Sequence, residues 1–132
     1  MEAPVKPVAL IACGGALGTW ARYQLTLLLP VRPGTFPWAT FWANTTGSLL
    51  LGLVFIVLID RFPPRRFLRA FAATGFVGAY TTFSTFVVDA DTLIKDGHVV
   101  LGATYVIVSS LVGFVAVWAG ISAGRRLRIG PQ

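Results

Sequence analysis

FLRAFAATGFVGAYTTFSTFVV, residues 67–88, decides how this chain is built. The stretch is long enough to cross a hydrocarbon core of about 30 Å at about 1.5 Å per helical residue. Its only charge is Arg69, near the start. Its middle, Gly75 to Phe86, is nevertheless poor helix material, with two glycines and a run of β-branched and hydroxyl residues. A helix that breaks inside a membrane frees carbonyls and N–H groups that lipid cannot satisfy. Such groups must face protein, water or an ion. Freed carbonyls suit a hard cation such as Na⁺, and freed N–H groups suit an anion. A flexible kink closed by Ser and Thr back-bonding is the plain alternative.

Three similar apolar segments surround this one, and helices are expected over about 8–29, 38–59, 67–95 and 99–123. The first is interrupted by Arg22, and the second and fourth carry no charge. Pro30, Pro33, Gly34 and Pro37 separate the first two, and Asp60, Arg61, Pro63, Pro64, Arg65 and Arg66 form a polar turn before the third. Asp89, Asp91, Lys95, Asp96, Gly97 and His98 follow the apolar part of the third segment, and Arg125, Arg126 and Arg128 end the fourth. The first run continues too far, without a small-residue exit, to read as a secretory signal. Residues 1–132 are therefore expected to form a single membrane domain.

Composition agrees. Hydrophobic residues make up 55% of the chain and charged residues 12%, and mean hydropathy is +0.75. A soluble domain carries about twice that charge. The net charge of +6 does not indicate nucleic-acid binding, because the arginines sit in short clusters between apolar runs. Cys13, the only cysteine, lies within an apolar run and reads as a small packing residue.

Four crossings put both termini on one side. That side collects Lys6, Arg61, Arg65, Arg66, Arg69, Arg125, Arg126 and Arg128, against Arg22, Arg32 and Lys95 on the other. The positive-inside rule then places both termini in the cytoplasm.

Within the spans, Gly14 and Gly18 share a helix face and allow close approach. Gly113, Gly120 and Gly124 do so less regularly on the fourth segment. Thr40, Asn44 and Ser48 recur every four residues on the second segment, as do Tyr105 and Ser109 on the fourth. They form a track of neutral hydrogen-bonding groups, read either as pore lining or as interhelical glue. Phe83 and Phe86 share a face, and phenyl rings have positive edges that suit an anion, although packing is the ordinary use of such rings. Arg22 is expected to snorkel or to cap another helix's C-terminal carbonyls.

At these residues a family comes into view. Gly14-Gly15-Ala16-Leu17-Gly18-Thr19-Trp20-Ala21-Arg22-Tyr23 resembles the opening pattern of the Fluc/CrcB fluoride channels. Ala43-Asn44-Thr45-Thr46-Gly47 resembles their second-helix element, and Thr81-Thr82-Phe83-Ser84-Thr85-Phe86 after Gly75 and Gly78 resembles their most specific signature. The fourth helix matches only through Tyr105 and Ser109.

The resemblance implies an all-α integral membrane protein with four transmembrane helices, the third broken mid-membrane. It implies an antiparallel dimer with two fluoride pores and a central structural Na⁺ at the dimer interface. Gly78 and Thr81 match the positions whose backbone carbonyls hold that ion. Phe83 and Phe86 match the pore phenylalanines, and Asn44, Tyr105 and Ser109 match polar lining positions, with Ser84 and Thr85 as additions. Arg22 and Thr40 are near-pore, structural positions. Ala79 stands in place of a common second glycine, and Gly113 where some members continue with Ser. The lopsided loop charge departs from members that insert both ways, so the partner is either a second copy or an oppositely oriented homologue.

The expected activity is passive, fluoride-selective export across the plasma membrane, not enzymatic catalysis. A small four-helix multidrug or cation antiporter is the first rival. It would want a carboxylate mid-membrane, and Glu2, Asp60, Asp89, Asp91 and Asp96 all read as lying at or beyond helix ends. A non-transporting membrane scaffold is the second rival. It leaves the broken third helix unexplained.

Overall fold

The computed structural model describes residues 5–60 and 66–126. Glu2, Arg61, Arg65 and Arg128, and the turn expected at Pro63 and Pro64, lie outside the described residues. Every element is helical: α1 Val5–Leu28, α2 Trp38–Asp60, α3 Arg66–Arg69, a π-helical segment Ala70–Val77, α4 Gly78–Tyr80, α5 Phe83–Lys95 and α6 Val99–Arg126. The elements between Arg66 and Lys95 form the third of four long helical runs.

This is a membrane protein. Among the described residues, three helical stretches are long and apolar enough to cross a membrane, Trp38–Val57, Phe67–Lys95 and Val99–Arg126. The 24-residue α1 is long enough but less apolar, because Gly14, Gly15, Gly18, Thr19, Arg22 and Gln24 dilute it.

Small residues set the packing. A Cβ at Gly14 would collide with the Phe71 carbonyl and lie 2.9 Å from the Phe76 nitrogen, and one at Gly75 would lie 2.7 Å from the Ile11 carbonyl. The backbones of α1 and the π segment are thus in direct contact, as small faces permit in a membrane. The π geometry itself shows in the Gly78 N–H, which donates to the Ala73 carbonyl five residues back. Glycine is used the same way between α2 and α6, where a Cβ at Gly120 would lie 2.9 Å from the Leu53 nitrogen. At Gly113 the nearest atom is the Ser48 Oγ at 3.8 Å, so this glycine is not needed for close approach.

The buried centre lies between α2, α5 and α6, where Phe41, Ala90, Leu93 and Tyr105 meet. Around the outside, Phe114 and Trp118 of α6 are about three-quarters exposed in the single chain, as suits a surface covered by lipid or another subunit. Helix α5 ends at a Schellman cap. Gly97 has φ +86°, the His98 N–H donates to the Leu93 carbonyl at 2.8 Å, and the Gly97 N–H donates to Ile94 at 3.1 Å.

Candidate functional site

The site is organised by two residues. Helical geometry stops at Tyr80 and resumes at Phe83, and between them Thr81 (φ −80°, ψ 159°) and Thr82 (φ −149°, ψ 124°) are extended. The Thr81 N–H still closes on the Val77 carbonyl at 3.0 Å. The Thr82 N–H, which would continue the helix from the Gly78 carbonyl, instead donates to Asn44 Oδ1 at 2.8 Å. In return Asn44 Nδ2 donates to the Thr82 carbonyl at 2.9 Å. An amide side chain has one acceptor and two donors, so Asn44 replaces a missing backbone neighbour for Thr82 and keeps one N–H uncommitted.

Asn44 therefore bridges two helical runs, and one N–H is left to face the cavity. The amide is drawn to Thr82 because Thr82 is buried and its N–H has no helical partner, while its carbonyl, at the N-cap of α5, takes the Asn44 N–H as a second donor. Thr82 also caps α5, its Oγ1 accepting the Thr85 N–H at 3.1 Å and donating to the Thr85 Oγ1 at 3.0 Å. Ser84 Oγ lies 3.4 Å from the same hydroxyl, so Ser84 and Thr85 both gather at the start of α5.

On the other flank, Arg22 Nη1 donates to the Thr81 carbonyl at 3.4 Å, a long bond from α1 to the C-cap of α4. Of the two roles expected for Arg22, the structure shows carbonyl capping. Thr81 and Gly47 are in close contact, since a Cβ at Gly47 would run into the Thr81 methyl. Gly78, by contrast, is exposed on the single chain, with nothing nearer to an added Cβ than the Ala73 carbonyl at 3.7 Å.

A second polar cluster lies further along α5. Thr40 Oγ1 donates to Asp89 Oδ2 at 2.6 Å, and the Tyr105 hydroxyl donates to the same oxygen at 3.5 Å. Tyr105 is fully buried and Thr40 nearly so. Asp89, expected within the helix 67–95 but past its apolar part, lies inside α5 and within the Phe67–Lys95 apolar stretch, which corrects its reading as a residue at or beyond the helix end. The track is thus not wholly neutral, since Thr40 and Tyr105 converge on a carboxylate. The continuation of the helix past Asp89, expected to residue 95, had a signal in the sequence. Asp91 and Lys95 are four apart and pair at 2.7 Å, which marks the segment as helical past Asp89.

The two phenylalanines are neighbours, with ring centroids 6.1 Å apart, but their environments differ. Phe86 packs inward on Tyr105 at 5.1 Å, whereas Phe83 is 78% exposed on the single chain. Ser109 Oγ is buried and has no hydrogen-bond partner among the described residues. An open cavity of about 250 Å³ joins Asn44, Ser48, Thr81, Thr82 and Phe83. Most of the expected site residues therefore fall into two groups. Asn44, Thr81, Phe83, Ser84 and Thr85 gather at the extended dipeptide, and Thr40 and Tyr105 meet at Asp89, with Phe86 packed on Tyr105.

The family model described as CrcB-like protein, Camphor Resistance (CrcB), matches residues 9–121. The chain belongs to the CrcB-like family. Among relatives, it is 44% identical over 118 residues to a protein of Streptomyces avermitilis named Fluoride-specific ion channel FluC 3, covering 89% of this chain and 58% of that one. It is 40% identical over 126 residues to Fluoride-specific ion channel FluC 1 of Streptomyces coelicolor, covering 96% and 80%. It is 36% identical over 121 residues to Fluoride-specific ion channel FluC of Rhizobium meliloti, covering 91% and 97%. This CrcB-like chain thus spans a little over half the length of the first relative and nearly all of the third. The matched region contains every site residue described above, from Arg22 to Ser109.

Proposed function

We propose that this chain is one subunit of a passive, fluoride-selective channel that lets fluoride leave the cytoplasm. The observation that carries the reading is the extended Thr81–Thr82 dipeptide within an apolar span, with hydroxyl, amide and phenyl groups collected around it and a relative named as a fluoride channel matching it almost end to end. Fluoride holds water tightly, so a pore must offer donors in exchange and release the ion again. The spare Asn44 N–H, the Ser84, Thr85 and Ser109 hydroxyls and the positive edges of Phe83 and Phe86 are such groups. With the cell interior negative, passive anion flow is outward.

In this reading the third span is broken mid-membrane and two subunits assemble antiparallel, as a homodimer or with an oppositely oriented homologue. Two observations support a need for a second subunit: Phe83 is open on the single chain, and Gly78 is exposed. A structural Na⁺ is part of the same proposal. The donor set fits in kind, since the Gly78 carbonyl lacks its helical Thr82 N–H and the Thr81 carbonyl lies at the end of α4. Two carbonyls from one chain are few for a hard cation, so a second copy would complete the set. Arg22 at the Thr81 carbonyl is a competing cation, held only by a long bond. The charge bias of the loops supports cytoplasmic termini.

Asp89 favours a second reading, proton-coupled transport, because a carboxylate within a span is the usual proton carrier. Fluoride efflux from liposomes holding the purified protein separates the two. Passive flow continues when the pH is equal on both sides, and coupled flow responds to an imposed pH gradient. Chloride passing at a comparable rate would end the selective reading.

A further inference from the structure

A second cleft, of about 310 Å³, lies between the end of α1 and the start of α2, remote in the chain from the Thr81–Thr82 site. Its lining divides by chemistry. Leu28 at the end of α1, the following Leu29 and Phe36 form an apolar wall, while Arg32, Thr35 and Trp38 supply the polar groups. Arg32 and Leu28 are exposed, and Trp38 is about half-exposed. Among the described residues no carboxylate lies within ion-pair distance of Arg32, and the Trp38 indole N–H has no hydrogen-bond partner.

A turn fixes the Arg32 backbone. The Arg32 carbonyl accepts the Thr35 N–H at 3.1 Å and the Thr35 Oγ1 at 2.8 Å. Pro33 and Gly34 occupy the centre of this turn, and Gly34 has φ +69°, the pattern of a type II turn. His98, from the α5–α6 turn, packs against the outside, its Nε2 only 2.6 Å from where a Cβ on Gly34 would sit. The Trp38 ring is fixed by Phe36 at 4.6 Å and Phe41 at 5.7 Å. The turn and the packed rings thus bring two donors, unpartnered among the described residues, to one rim of an apolar cleft.

We propose that this cleft binds an anionic phospholipid, with the headgroup phosphate taken by Arg32 and the Trp38 indole and an acyl chain lying along Leu28 and Leu29. The occupant follows from where the groups sit. The cleft joins the end of the long helix α1 to the start of the apolar α2, the level at which phosphates and the first chain carbons meet. A guanidinium offers a planar fork suited to phosphate, and Trp prefers this interface. A net negative headgroup complements a cation that no acid neutralises, whereas a zwitterionic headgroup already carries its own counter-charge. The inference is independent of the fluoride reading.

The test is a lipid titration of the purified full-length chain in detergent, read by native mass spectrometry. The probes are phosphatidylglycerol, phosphatidylcholine of the same chains, and water-soluble glycerol phosphate. The wild type is expected to hold phosphatidylglycerol at least about fivefold more tightly than phosphatidylcholine, the increment of one basic side chain near a membrane surface. Arg32→Gln removes that preference and Arg32→Lys keeps most of it. Trp38→Phe weakens binding of phosphatidylglycerol without abolishing the preference. Arg125→Gln, in the last turn of α6, leaves the preference unchanged. Undiminished preference in Arg32→Gln overturns the proposal, as does an equal loss in Arg125→Gln, which would make the effect one of general charge. Displacement of the lipid by glycerol phosphate at equal concentration overturns the lipid as occupant.

Discussion

Replacing Asn44 by Ala removes both hydrogen bonds to Thr82, at 2.8 and 2.9 Å, and leaves a buried N–H without a partner, while the Thr82 carbonyl, at the N-cap of α5, keeps its intrahelical bond. A buried polar group stranded in this way costs about 1–3 kcal/mol and the lost second bond to the carbonyl adds about 1 kcal/mol, an upper range of about 2–4 kcal/mol. Two things lower that figure. Asn44 is only half-buried and lines the open cavity, so water can reach the vacated place. Interhelical hydrogen bonds in membranes also average about 0.6 kcal/mol, because the unfolded chain finds partners as well. The expected loss is therefore about 2 kcal/mol, the low end of the range. Asn44→Asp separates the two bonds. A carboxylate still accepts the Thr82 N–H but cannot donate to the Thr82 carbonyl, so it sits between wild type and Asn44→Ala. The measurement is unfolding in a denaturing-detergent titration, alongside fluoride efflux from liposomes. Efflux should fall in the same order, because the clamp holds the extended dipeptide that the pore groups surround. Asn44→Ala with wild-type stability and wild-type efflux would refute the clamp. Wild-type stability with lost efflux would show instead that Asn44 acts on the ion alone.

Phe83→Ile and Phe86→Ile should each lower fluoride efflux about tenfold, roughly the worth of one ring-edge contact of about 1.4 kcal/mol. Only Phe86→Ile should also lower stability, since Phe86 packs on Tyr105 while Phe83 is exposed, and a denaturation curve for each variant checks this. Gly14→Leu forces a side chain into the Phe71 carbonyl and should cost about 1–3 kcal/mol. Gly113→Ser meets nothing closer than Ser48 Oγ at 3.8 Å and should change stability by under about 0.5 kcal/mol in the same titration. Asp89→Asn keeps an acceptor for Thr40 but removes the charge. Passive efflux should persist in it and remain indifferent to a pH gradient, and its abolition, with a gradient-driven wild type, would favour the coupled reading.

Much of this protein is legible in the sequence, because membrane insertion responds to properties of neighbouring residues. A charge-free run such as Trp38 to Ile59 needs no tertiary partner to be recognised as a span. Helix period alone puts Gly14 with Gly18 on one face, and Thr40, Asn44 and Ser48 on another. The weakness of the helix around Thr81 and Thr82 is likewise local, a matter of propensity. None of these properties says which helix lies opposite. Asn44 is 38 residues from Thr82, and Arg22 is 59 from Thr81. Those pairings exist because α1 and α2 both pass the extended dipeptide, and periodicity identifies a face but not its neighbour. The same ignorance placed Asp89 outside the span. Its charge suggested water, and only the packing of α5 between Thr40 and Tyr105 supplied the hydroxyls that let a carboxylate stay within the helix. Phe83 and Phe86, alike in sequence, were separated by the fold as well. Packing brought Tyr105 of α6 against Phe86 and left Phe83 open, because one face of a helix can meet the buried centre at one turn and leave it at the next.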